Sequence, residues 1–166
     1  HTLSDEYAQA EKRVGMIADK LAGRLISKGY KALSQSDNAL ITENTFDFAT
    51  KTSILPHKTI AVLSGTGYIG KNNLFITAEY GAAQCLGSVL TNAPLSIMEH
   101  EIKSSQCGNC NICRDVCPQK ALNGVVWNMN VSRDEIVNVY DCVTCLKCLV
   151  YCPKTKAYMK RHITMK

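Results

Sequence analysis

The sequence predicts an α+β protein in two parts, a mixed portion over residues 1–101 and a cysteine-rich module over residues 102–166. Three observations carry that division. Eight of the nine cysteines fall after residue 106, in two arrays of identical spacing. A long amphipathic stretch opens the chain, and short β-branched runs broken by glycine lie between the two.

The opening stretch, residues 4–28, reads as a helix. Ser4 can cap it, Asp5 and Glu6 suit its positive end, and Val14, Ile17, Ala18, Leu21 and Leu25 recur at helical spacing. Gly29 is a natural stop. Residues 30–34 fit a short strand, and the polar stretch Gln35 to Ser53 shows little periodicity. Leu74 to Thr77 and Cys85 to Thr91 read as two strands joined through Glu79-Tyr80-Gly81. Pro94 to Ser105 is a linker. Between the cysteine arrays, Ser132-Arg-Asp-Glu135 is a capping box opening a short helix, Asp134 to Tyr140.

The arrays are Cys107-x2-Cys110-x2-Cys113-x3-Cys117-Pro118 and Cys142-x2-Cys145-x2-Cys148-x3-Cys152-Pro153. Every cysteine of the second stands 35 residues after its counterpart. This run holds [4Fe–4S] clusters in two-cluster bacterial ferredoxins, where three thiolates converge from one loop and the fourth ligates the other cluster. The expected sets are therefore Cys107, Cys110, Cys113 and Cys152 for one cluster, and Cys142, Cys145, Cys148 and Cys117 for the other. Four-cysteine zinc sites pair two C-x2-C knuckles across a longer gap and have no use for the third cysteine and the Cys-Pro step. Cys85, in an apolar run, reads as a core thiol.

Charge and composition exclude several classes. No run of 18 apolar residues exists, so no membrane span is expected, and the opening HTLSDEY lacks an export signal. Thiols kept for metal place the protein in a reducing, cytoplasmic compartment. The formal charge of +5 counts cysteines as neutral. Eight thiolates and two oxidised cubanes bring it to about +1, so basicity alone does not argue for nucleic acid. The charge is uneven, however. Lys154, Lys156, Lys160, Arg161 and Lys166 follow Pro153 with no acid among them, a tail suited to an acidic redox partner or to tRNA.

The glycine loop Gly65-Thr-Gly67-Tyr68-Ile-Gly70-Lys71-Asn72 fits G-x-G-x-x-G after a strand-like run, Thr59 to Leu63. It is a poor nucleotide site. Asn72 stands where a phosphate loop needs a hydroxyl, and the residues that follow are weak helix formers. No acid stands about twenty positions on to hold a ribose.

With His57-Lys58 before it, and Tyr80-Gly81, Leu86-Gly87, Leu90-Thr91 and the first cysteine array after it, this loop resembles that of the epoxyqueuosine reductases. The likeness is tightest over residues 57–118. These are cobalamin-dependent iron–sulfur enzymes that reduce the epoxide of epoxyqueuosine in tRNA. The resemblance implies a partial corrinoid-binding-like α/β portion over 1–101 and a two-cluster ferredoxin-like module over 102–166. It implies that Gly65, Gly67, Tyr68, Gly70, Lys71 and Asn72 lie against a corrinoid, to which the clusters pass electrons from a redox partner protein. A tight turn packing a helix onto a strand is the alternative for the loop. Tyr68 replaces the family's tryptophan, and the position of the family's catalytic acid falls near Lys51, so no catalytic residue is assigned. The competing function is a ferredoxin-like carrier that docks a partner oxidoreductase and binds no corrinoid. Co-elution of added cobalamin would separate the two. His57, beside the start of the strand-like run, reads as a structural histidine.

Overall fold

The computed structural model describes residues 3–163; the side chains of Leu3, Ser4 and Ile163 lie outside that description, as do the Ser4 cap and Lys166 of the basic tail. Among the described residues the strands are short and antiparallel and all precede a run of four helices, as in an α+β fold. The strands form three two-stranded pairs, each antiparallel. The expected α/β character of residues 1–101 is therefore not what these strands build, since α/β layers rest on parallel strands. The chain folds into two compact units that differ from the expected division at residue 101. Residues 61–84, glycine loop included, group with the cysteine region instead.

The first unit is His1–Ile60 with Cys85–Glu99. Its long helix α1, Leu3–Ser27, ends in Gly29 at φ +87°, where the Tyr30 amide reaches back to the Leu25 carbonyl at 3.1 Å. The helix buries small residues, Ala18 and Ala22, while Ile17 and Leu21 are exposed, contrary to the inward face expected for them. The reason is close approach. A Cβ on Gly87 would meet Val14 Cγ1 at 2.6 Å, so the helix packs where only glycine fits. Strand β1, Ala32–Ser34, pairs with β6, Val89–Thr91. Ser36 then caps α2, Asp37–Thr42, accepting from the Ala39 amide at 3.3 Å. Strands β2, Phe46–Asp47, and β3, Thr52–Ser53, form a hairpin. Both α2 and this hairpin fall in the stretch whose sequence showed no period.

The second unit is Ala61–Gln84 with His100–Lys166. Thr59 to Leu63, strand-like by composition, lie in helix α3, His57–Leu63. The Thr59 and Ile60 amides bond the Pro56 carbonyl, so a proline at the start overrides β-branched propensity. Strand β4, Tyr68–Ile69, pairs with β5, Phe75–Ile76. The partner of β5 is thus the glycine loop itself, a pairing that the strand-like runs of the sequence do not suggest. Short helices follow: α4, Ile112–Asp115; α5, Arg133–Ile136; α6, Lys147–Val150; and α7, Pro153–Ile163. The Ser132/Glu135 capping box opens α5. Between the arrays, Leu122 bridges Val137, and Ala121, Leu122, Val137 and Cys113 form a core against which Cys117 and Cys148 pack.

Candidate functional site

Cys107, Cys110, Cys113 and Cys152 line one cavity of about 120 Å³, together with Tyr68, Lys71, Asn72, Ile76, Gln106 and the first residues of α7. Since about 10–15 Å³ suffices for one water, this space suits a polyatomic group. Three of the thiols come from the first array and the fourth from the end of the second. Cys152 reaches them because Pro153 starts α7 directly behind it, with its missing N–H at a position that needs no donor. Burial pushes the Cys113 thiol up to about 11, and Cys107, Cys110 and Cys152 add repulsion to any charge on it.

Cys148 of the second array also lies among cysteines of both arrays. Cys148 is pushed up to about 12, first by burial and then by Cys113, Cys142, Cys145 and Cys117. Cys142 and Cys145 are exposed, whereas Cys113 and Cys152 are buried. Among the described residues, no three His, Cys, Asp or Glu side chains close on a single-ion point. The first set is instead spread around its cavity. Soft thiols in two interleaved sets of four fit polynuclear iron–sulfur groups by donor type and count.

Equal spacing does not give equal backbone. In the first loop Gly108 takes φ +49°, and in the second Thr144 and Leu146 take φ +49° and +57°. A left-handed leucine costs on the order of 1–3 kcal/mol. Leu146 holds that conformation because its side chain is buried and its carbonyl accepts from the Leu149 and Val150 amides, each at 3.0 Å.

The glycine loop is buried against protein. Residues 67–72 are all buried, and a Cβ on Gly67 would collide with the Ile76 carbonyl and lie 2.7 Å from the Phe75 ring. One on Gly70 would lie 2.5 Å from Ile76 Cδ1 and 3.5 Å from Cys107 Sγ. Gly65, at φ +67°, is crowded by His100. The Cβ side of each of these glycines faces protein: the β4–β5 hairpin at Gly67 and Gly70, and His100 at Gly65. Lys71 and Asn72 turn toward the cysteines. Lys71 Nζ donates to Asn111 Oδ1 at 3.1 Å, and Asn72 Nδ2 donates to the Cys148 carbonyl at 3.3 Å.

The basic helix is pinned to the unit. Thr155, 1% exposed, accepts the Ala82 amide at 3.0 Å, and Arg161 donates to the Ala78 and Glu79 carbonyls. Lys156 sits over the Tyr151 ring. Nothing in the sequence marked Thr155 or Asn111 for these roles, although Asn111 stands between two cysteines. In the first unit His57 bonds Ser88 Oγ through Nδ1 at 2.9 Å, and burial holds its pKa below the usual range, as a structural histidine would show. Cys85 is half-buried in that unit and takes no part in either set.

Fold and site together define a small α+β protein in which Cys152 of the second cysteine array joins Cys107, Cys110 and Cys113 of the first around one cavity. No family model matches the chain. It is 32% identical over 100 residues to the epoxyqueuosine reductase of Lactococcus garvieae, covering 60% of this chain and 28% of that protein. It is 31% identical over 120 residues to the epoxyqueuosine reductase of Pseudomonas aeruginosa, covering 72% of this chain and 28% of that protein. The solved epoxyqueuosine reductase of Streptococcus thermophilus superposes with a TM-score of 0.56 at 25% identity, over 85% of this chain and 39% of that one. The chain is an epoxyqueuosine reductase-like protein, and it spans about a quarter to a third of the curated relatives it matches. Among the described residues, no helix is long and apolar enough to cross a membrane.

Proposed function

We propose that this chain is the iron–sulfur electron-transfer portion of an epoxyqueuosine reductase-like oxidoreductase. The cavity shared by Cys107, Cys110, Cys113 and Cys152 carries the reading, because it joins the two arrays in the crossed pattern of two-cluster ferredoxins. Cys142, Cys145, Cys148 and Cys117 hold the second group. Bound [4Fe–4S] clusters supply one-electron chemistry at low potential.

The chain's own residues do the rest. The apolar core of Ala121, Leu122 and Val137 packs directly against Cys113, Cys117 and Cys148. Lys71 brings a buried cation to the first set, where it donates to the neutral amide of Asn111. Exposed Cys142 and Cys145 put the second set at the surface, where a redox partner protein would deliver electrons. Similarity to epoxyqueuosine reductases supports a part in a reductase over a free-standing carrier. A corrinoid acceptor for the electrons rests on the family likeness, and co-elution of added cobalamin with the loaded chain tests it. The basic face of α7 suits an acidic donor protein, and tRNA is the second reading, distinguished by salt-dependent binding of tRNA to the loaded chain. Reductive titration of the anaerobically reconstituted protein should take up about two electrons per chain with bleaching of the iron–sulfur absorption. A colourless protein that accepts no electrons would sink the proposal.

A further inference from the structure

Tyr68 stands out on the wall of the first cavity. It is 4% exposed, and its hydroxyl is sealed from solvent with no hydrogen-bond partner among the described residues. A buried hydroxyl without a partner is unusual enough to need an explanation. Tyr68 shares this cavity with Cys107, Cys110, Cys113 and Cys152, and its phenol is an O–H donor. Lys71 lines the same cavity, 6% exposed, and among the described residues it makes no ion pair; its ammonium reaches only the Asn111 amide oxygen. Two donors, one of them charged, thus line the same cavity as Cys107, Cys110, Cys113 and Cys152. Buried charges are normally paired, and thiolate-ligated clusters carry net negative charge that a cation can balance.

We propose that the Tyr68 hydroxyl and the Lys71 ammonium set the reduction potential of the cluster held by Cys107, Cys110, Cys113 and Cys152, raising it above that of the same cluster without them. This rests on the iron–sulfur reading above. Hydrogen bonds to sulfur and nearby positive charge both favour the more negative, reduced state, so both raise the potential. Neither residue is a ligand. Both are positioning groups that act on the electronics of the site.

The test compares the anaerobically reconstituted parent with Tyr68→Phe and Lys71→Met by redox titration followed by electron paramagnetic resonance. The transition that belongs to the first set is the one that Cys152→Ala abolishes. In each variant that transition should move down by at least a roughly tenfold change in the reduced-to-oxidised ratio, about 59 mV for one electron, while the other stays. Unmoved transitions, an upward shift, or equal movement of both would overturn the proposal. So would failure of Tyr68→Phe to take up iron, since a hydroxyl that only tunes potential is not needed for assembly. A parent that binds no iron defeats the iron–sulfur reading itself, whereas loaded variants with unchanged potentials defeat this inference alone.

Discussion

Replacing Gly67 by alanine separates a packed turn from a loop kept open for a ligand. The added methyl would overlap the Ile76 carbonyl and press the Phe75 ring at 2.7 Å. Neither can retreat easily, because Ile76 is 1% and Phe75 5% exposed, and Ile76 pairs with Tyr68 in the hairpin. Overpacking of this kind costs about 1–3 kcal/mol, and backbone contact places Gly67→Ala near the upper end, about 3 kcal/mol. At roughly 2–4 °C per kcal/mol for a chain of this size, the apparent Tm should fall by about 6–12 °C. The control is Gly23→Ala in α1, an exposed helical glycine with nothing within 4 Å of its would-be Cβ. There the same methyl should stabilise the first unit by about 0.4–1 kcal/mol. The assay is anaerobic thermal unfolding of the reconstituted proteins by circular dichroism at one fixed scan rate. A Gly67→Ala protein within about 1 °C of its parent would refute the packed-turn account, because a ligand-facing glycine leaves the ligand-free protein unstrained.

Other substitutions probe the thiol sets and their support. Cys117→Ala should damage the group held by Cys142, Cys145 and Cys148, and Cys152→Ala the one held by Cys107, Cys110 and Cys113, each leaving about four iron per chain. If Cys117→Ala instead spares the second set's spectrum and removes the first's, the crossed pairing is wrong. Thr155→Val should strand the buried Ala82 amide and cost about 1–3 kcal/mol, read as a lower urea midpoint with an unchanged slope. No loss of stability would show that this contact does not pin α7.

Local rules made much of the fold legible. Gly29 ends α1, Ser132 and Glu135 cap α5, and residues 30–34 contain β1. The misses share a cause, which is that tertiary partners decided them. Thr59 to Leu63 are helical because Pro56 starts a turn there, and β5 pairs with β4 because the glycine loop folds back onto it. The domain boundary was read at the change in cysteine content, yet contacts draw residues 61–84 to the cysteines. At the site, the ferredoxin-type spacing predicts crossed sets, and the cavity does bring Cys152 beside Cys107, Cys110 and Cys113. The glycine loop is legible only in part. Glycine marks close approach, and a sequence does not say whether a cofactor or Ile76 is what approaches.

The central claim is that eight thiols hold two iron–sulfur cubanes. Metal and sulfide analysis of the anaerobically reconstituted full chain tests it most directly. The account predicts about eight iron and eight acid-labile sulfide per chain, with no bound zinc needed for folding. About two zinc per chain with negligible sulfide would contradict it.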